Sequence, residues 1–174
     1  MKLQFYKMKK LFPLLSVLFL ISFGLSQKDF TMEEIVKVRG IYKLKFSDQV
    51  INGNVYVKNN KQKIIIGMIK NGLKEGEWID WYYNGVKQSE GIYSGGKENG
   101  KWLQYTPEGY LMYERNYKNG VLDGEHTYWE NIVIEGKPLI RYKSEHGFYK
   151  DGKKIGDWKK FNMSGDEKIK NYDK

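Results

Sequence analysis

The chain carries two histidines, His126 and His146, each directly after a glutamate, Glu125 and Glu145. Imidazole beside carboxylate is the raw material of acid–base catalysis and of zinc binding. Neighbouring residues of a strand point to opposite faces, however, so neither pair converges on one point. Asp80, Glu108 and Asp157 are scattered and form no facing pair of the kind glycoside hydrolysis uses. The glycine-rich stretch GKENGKW (96–102) lacks the lysine–serine ending of a phosphate loop and opens no helix. There is no cysteine, which excludes disulfides, a thiol nucleophile and zinc held by thiolates. The residues therefore point to no catalytic, metal or cofactor site.

Aromatic rings are the other chemical resource, at 16% of residues. Trp78, Trp81, Tyr93, Trp102, Tyr105, Tyr117, Trp129, Tyr149 and Trp158 recur at fixed spacings. Such rows can stack on sugars, cage a quaternary ammonium group, or pack on one another as scaffold. Which of these they do depends on the elements that hold them.

Those elements come after an N-terminal segment of a different kind. Lys2, Lys7, Lys9 and Lys10 precede an apolar run, Leu11 to Phe23, and Gly24 and Ser26 place small residues before a cut at Gln27. That is the three-part pattern of a signal peptide over residues 1–26, and it predicts an exported protein, periplasmic or secreted. The alternative, an uncleaved anchor, has a shorter run than the ~20 residues of a full span. Residues 1–26 hold four lysines and no acid, so export lowers the net charge from +9 to +5. Only Arg39, Arg115 and Arg141 are arginines. Dispersed lysine interleaved with acids reads as a solvated surface rather than a nucleic-acid interface.

The remainder repeats itself. GMIKNGLKEGEWIDWYYNGVKQSE (67–90) aligns without a gap on GIYSGGKENGKWLQYTPEGYLMYE (91–114), a period of 24. A third copy starts at Arg115, and a fourth at Gly147 after an eight-residue insertion within 131–146. A degenerate copy runs from Gly40 to Ile66, within an N-terminal segment covering 27–66. One column reads Trp78, Trp102, His126, Trp158; the turn dipeptides are Asn71-Gly72, Gly95-Gly96, Asn119-Gly120 and Asp151-Gly152. Short β-rich runs between such turns predict hairpins, with a helical turn conceivable only near 31–37.

A register can be derived from these turns. A two-residue loop at Asn84-Gly85 sets Tyr83 against Val86 and Trp78 against Gly91. A six-residue loop over 71–76 sets Lys70 against Glu77 and Ile69 against Trp78. The same count pairs Tyr93 with Trp102, Tyr117 with His126 and Tyr149 with Trp158, and puts Trp102 opposite Arg115, within reach of a cation–π contact. Trp78 and Trp81, three apart, belong to opposite faces.

GIYSGGKENGKWLQYTPEG (91–109) resembles the variant MORN repeat, G-x-Y-x-x-G-K-x-x-G-x-W-x-x-Y-x-x-x-G, with weaker matches from Gly67, Arg115 and Gly147. The resemblance covers 67 to 165. It implies an elongated, all-β antiparallel meander of tandem hairpins over 67–174, and a non-catalytic, protein-binding role like that of bacterial antitoxins. The export signal, His126 in a tryptophan column and the insertion near Pro138 set this chain apart. GKWLQYTPEGYLM (100–112) also looks like the repeats of choline-binding wall proteins, whose period is shorter. The expectation is thus a scaffold for a protein partner, contacting it through the insertion if Ile132, Val133, Ile134, Leu139 and Ile140 are exposed there. The alternative is a binder of glycan or anionic membrane surface, which requires Trp78, Trp102 and Trp158 open to solvent in a row.

Overall fold

The computed structural model describes residues 28–59, 62–135 and 139–173. Residues 1–26, the expected signal peptide, and Pro138 lie outside them. Among the described residues the protein is all-β, with thirteen strands and no helix. The strands are β1 (Lys28–Thr31), β2 (Ile35–Val38), β3 (Ile41–Leu44), β4 (Gly53–Asn59), β5 (Gln62–Lys70), β6 (Leu73–Trp81) and β7 (Lys87–Ser94). They continue as β8 (Lys97–Tyr105), β9 (Leu111–Lys118), β10 (Val121–Ile132), β11 (Ile140–Lys150), β12 (Lys153–Phe161) and β13 (Glu167–Asn171). From β4 to β13 every strand pairs antiparallel with the next, in one long meander. β1 joins it by parallel pairing with β4, and β2–β3 form a separate hairpin. The segment 31–37 holds a tight turn, not a helix.

The odd-to-even turns are tighter than the six-residue reading. Lys70 pairs with Leu73, leaving Asn71-Gly72 as the whole loop, with φ of 50° and 74°. Both residues at positive φ define the type I′ turn that matches strand twist, which is why Asn-Gly sits there. Asn119-Gly120 and Asp151-Gly152 do the same. Each tip is tied to its predecessor: the Gly96 N–H donates to the Lys74 carbonyl (2.9 Å), Gly120 to Glu98 and Gly152 to Leu122 (both 2.8 Å).

Two extra residues then enter the second strand of each hairpin. Between the pairs Ile92–Asn99 and Glu90–Leu103, Gly91 alone faces Gly100, Lys101 and Trp102. This bulge displaces the expected partners of the tryptophans. Ile69 faces Lys74, and Tyr93 faces Glu98; neither faces a tryptophan. The indoles instead lie on glycines eleven residues earlier. A Cβ on Gly67, Gly91 or Gly147 would stand 2.2–2.4 Å from the ring of Trp78, Trp102 or Trp158. Only a residue without a side chain allows that approach. Each indole N–H also donates to the carbonyl one residue past its glycine, at Met68, Ile92 and Phe148 (3.1 Å each).

The β6–β7, β8–β9 and β12–β13 loops are three residues long, not two. The Tyr82 N–H donates to the Val86 carbonyl, so Tyr83, Asn84 and Gly85 form the loop. A bulge at Gln88 then restores the count, and Trp78 does face Gly91. Trp102 faces Arg115 as well, but the guanidinium stacks on Tyr113 (3.9 Å), not on the indole.

The aliphatic core gathers at the N-terminal end. Phe30, Ile35, Ile51, Val55, Ile66 and Ile69 are buried with Trp78 and Trp102 in one cluster. At the other end β13, within the lysine-rich tail, leaves its outer edge unpaired among the described residues. Tyr172 closes the last ring contact, 6.2 Å from Trp158, and the Gly156 N–H donates to the Asp173 carboxylate (2.6 Å).

Candidate binding faces

The nine aromatic positions divide between two faces. Trp78, Trp102 and Trp158 are 1%, 4% and 3% exposed. The row of solvent-open indoles is therefore not formed at these positions, because each ring is pressed onto its glycine. Tyr93, Tyr117 and Tyr149 are half-buried beside them. Tyr93 makes edge contacts with Trp78 and Trp102 (6.1 and 5.0 Å), and Tyr149 with Trp158 (5.0 Å). These rings meet diagonally rather than as facing pairs, so some of the expected contacts are made through a different register.

Trp81, Tyr105 and Trp129 lie three residues beyond that row and belong to the opposite face. Two of them are tied into ionic networks. The Tyr105 hydroxyl donates to Glu90 (2.6 Å), which Lys87 also holds (2.7 Å). Burial, and then Glu90, push the Tyr105 phenol up to about 12. The Trp129 N–H donates to Glu114 (3.2 Å), Lys101 pairs with the same carboxylate (2.6 Å), and Arg141 covers the ring (4.3 Å). Trp81 remains open. It lines a cleft of about 450 Å³ with Val57, Ile64, Tyr82 and the fully exposed Tyr83.

The two histidines do not meet in one site. His126 faces Gly147 and Thr127 faces His146, which places the imidazoles on opposite faces. His146 contacts the Thr127 hydroxyl (3.2 Å) and Glu125 (3.7 Å). His126 is buried in the tryptophan slot, with Arg115 where the other copies have glycine. Its Nδ1 and the Arg115 Nε are buried without a hydrogen-bond partner among the described residues. Burial, reinforced by the Arg115 charge, holds the imidazole down to about 4, so it is neutral at pH 7. Among the described residues no group of three or more His, Asp or Glu is placed to hold a metal ion.

The insertion lengthens one hairpin. β10 and β11 run on, past a bulge at Ser144, to the pair Ile132–Ile140, beyond the length of the other hairpins. Val133 is 65% exposed at its end, and Ile134, Leu139 and Ile140 are exposed beside it. Loops are ordinarily polar, so an apolar group exposed at the end of a hairpin is a candidate interface. The eight-residue break in the period locates this element, and burial decides its character. No family model matches the chain, and no curated protein matches it.

Proposed function

We propose that this chain is an exported, non-catalytic scaffold that binds a protein partner through the tip of the β10–β11 hairpin. The observation that carries the reading is the exposure of Val133, Ile134, Leu139 and Ile140 at the end of the lengthened β10–β11 hairpin. Apolar surface left open at such a tip costs free energy in water until something covers it. The resemblance to variant MORN repeats supports tandem hairpins as the scaffold and an antitoxin-like mode of action, by binding rather than chemistry. The rigid meander would serve to hold the tip in a fixed orientation, which lowers the ordering cost of association.

The test is affinity capture from the cell-envelope fraction, with the native protein and a Val133→Asp/Leu139→Asp variant as paired baits. One protein enriched by the native bait and lost with the variant supports the proposal. A captured set unchanged by the substitutions overturns it. A second reading, glycan binding, gains support at Trp81, where an open indole and two tyrosines line one cleft. It requires Trp81→Ala to abolish binding to envelope polysaccharide while leaving protein capture intact.

A further inference from the structure

A second cleft, of about 290 Å³, lies where the β2–β3 hairpin meets the first tips of the sheet. Lys37, Tyr42, Lys74, Tyr93 and Glu98 supply its functional groups. It shares no residue with the β10–β11 tip.

Lys37, Lys74 and Glu98 all lack ion-pair partners among the described residues, and the latter two are half-buried. Lys74 is half-buried, with its ammonium 4.0 Å from the Trp78 ring centroid and 4.8 Å from that of Tyr93. It has only longer-range attraction to Asp80 and Glu98. Glu98 is half-buried too, drawn at longer range by Arg115 and Lys74 and hydrogen-bonded to neither. Burial disfavours both charges, lowering the Lys74 pKa and raising that of Glu98. Half-buried charges of opposite sign ordinarily close on each other or on a neighbour.

The same column provides the control. Lys154, the equivalent of Lys74 in the last copy, lies over Trp158 at 3.6 Å in the same way. It is closed by an ion pair to Glu145 at 2.8 Å. Packing a lysine over the indole therefore accommodates an internal partner, and Lys74 has none among the described residues. Ile65 stands where Glu145 stands in the last copy, two residues before the glycine under the indole.

We propose that this cleft binds a small zwitterion, a free amino acid or a dipeptide. Its carboxylate would sit between the Lys74 and Lys37 ammonium groups, its ammonium on Glu98, and its body between the Tyr42 and Tyr93 rings. A simple anion would face Glu98 unscreened, and a simple cation would face Lys74. Only a ligand carrying both charges satisfies both ends. The volume sits at the small end of ligand pockets, which suits a metabolite of this size.

Ligand-observed NMR and calorimetry on the purified protein, with the proteinogenic amino acids and dialanine, test this. The expected result is saturable binding of at least one of them. N-acetylation or C-terminal amidation of that ligand should each weaken it roughly tenfold or more. Lys74→Met and Glu98→Gln should each do the same, with far-ultraviolet circular dichroism and tryptophan fluorescence reporting an unchanged fold. Absence of binding across the panel at millimolar concentration overturns the proposal. Affinity that survives capping of either end overturns it as well, whatever the variants do.

Discussion

The second and third hairpins solve one packing problem in two ways. In β7–β8, Trp102 lies flat on Gly91 and its N–H reaches the Ile92 carbonyl. In β9–β10 the equivalent pair is His126 and Arg115, with the same eleven-residue spacing. Arg115 brings a Cβ into the space an indole would fill, so only a smaller ring fits above it. The imidazole keeps the ring contacts on either side, with Tyr149 at 5.6 Å, Trp158 at 5.3 Å and Tyr113 at 6.0 Å. It loses the hydrogen bond, and Nδ1 is left alone among the described residues. The slot is thus defined by the residue beneath as much as by the ring. Glycine with tryptophan and arginine with histidine are two matched sets, and mixing them is what should fail.

The largest expected effect comes from mixing the sets. Gly91→Arg puts a Cβ about where Trp102 atoms already lie, 2.2 Å away. It should destabilise the protein by more than about 3 kcal/mol in urea unfolding. Gly91→Arg/Trp102→His should recover at least about 1 kcal/mol of that loss. A double variant no better than the single one would show that the third hairpin tolerates its pair for some other reason.

A smaller effect is the pH dependence of the third hairpin alone. His126 is held down to about 4 when folded, against an ordinary value near 6.5 when unfolded. The unfolded chain therefore binds the extra proton between these values. Stability from this group is full above pH ~6.5 and falls as pH drops towards ~4, by on the order of 2–3 kcal/mol. His126→Phe should remove that portion of the acid sensitivity, seen as a flatter melting temperature between those pH values. Equal slopes in both proteins would refute the assignment.

The smallest effect should be shared by both hairpins. Gly96→Ala and Gly120→Ala change tip residues at φ of 79° and 82°, each costing about 1–2 kcal/mol by thermal melting. Similar values at the two tips would confine the difference between the hairpins to the slot. Unequal values would extend it to the turns.

The turn dipeptides are legible in the sequence because positive φ leaves few choices of residue, and they name the tips correctly. The Trp78–Gly91 pairing is legible too, even though a two-residue count of the Asn84-Gly85 loop is one short, since the bulge at Gln88 cancels the error. The pairing of Ile69 with Trp78 fails because it places Gly76 in a loop, whereas Gly76 opens a bulge inside a strand. A bulge and a loop use the same residue types, so composition does not separate them. Burial of the indole row is not legible either. Trp78 and Trp81 differ by context, not by residue type, and only the glycine contact tells which is covered. The cleft at Lys74 brings residues 37–42 onto 73–98, a juxtaposition that no local pattern encodes.

Strand order that tracks chain order also decides how the molecule yields to force. Tension on the C-terminus peels β13 from β12, then each strand from its neighbour, breaking hydrogen bonds one after another. The N-terminal end is anchored differently. β1 is parallel to β4 and matches it residue for residue, so a pull along that strand must shear its bonds together, with Phe30 buried behind them. A tether at the C-terminal end would unzip at low load, and one at the N-terminal end would hold.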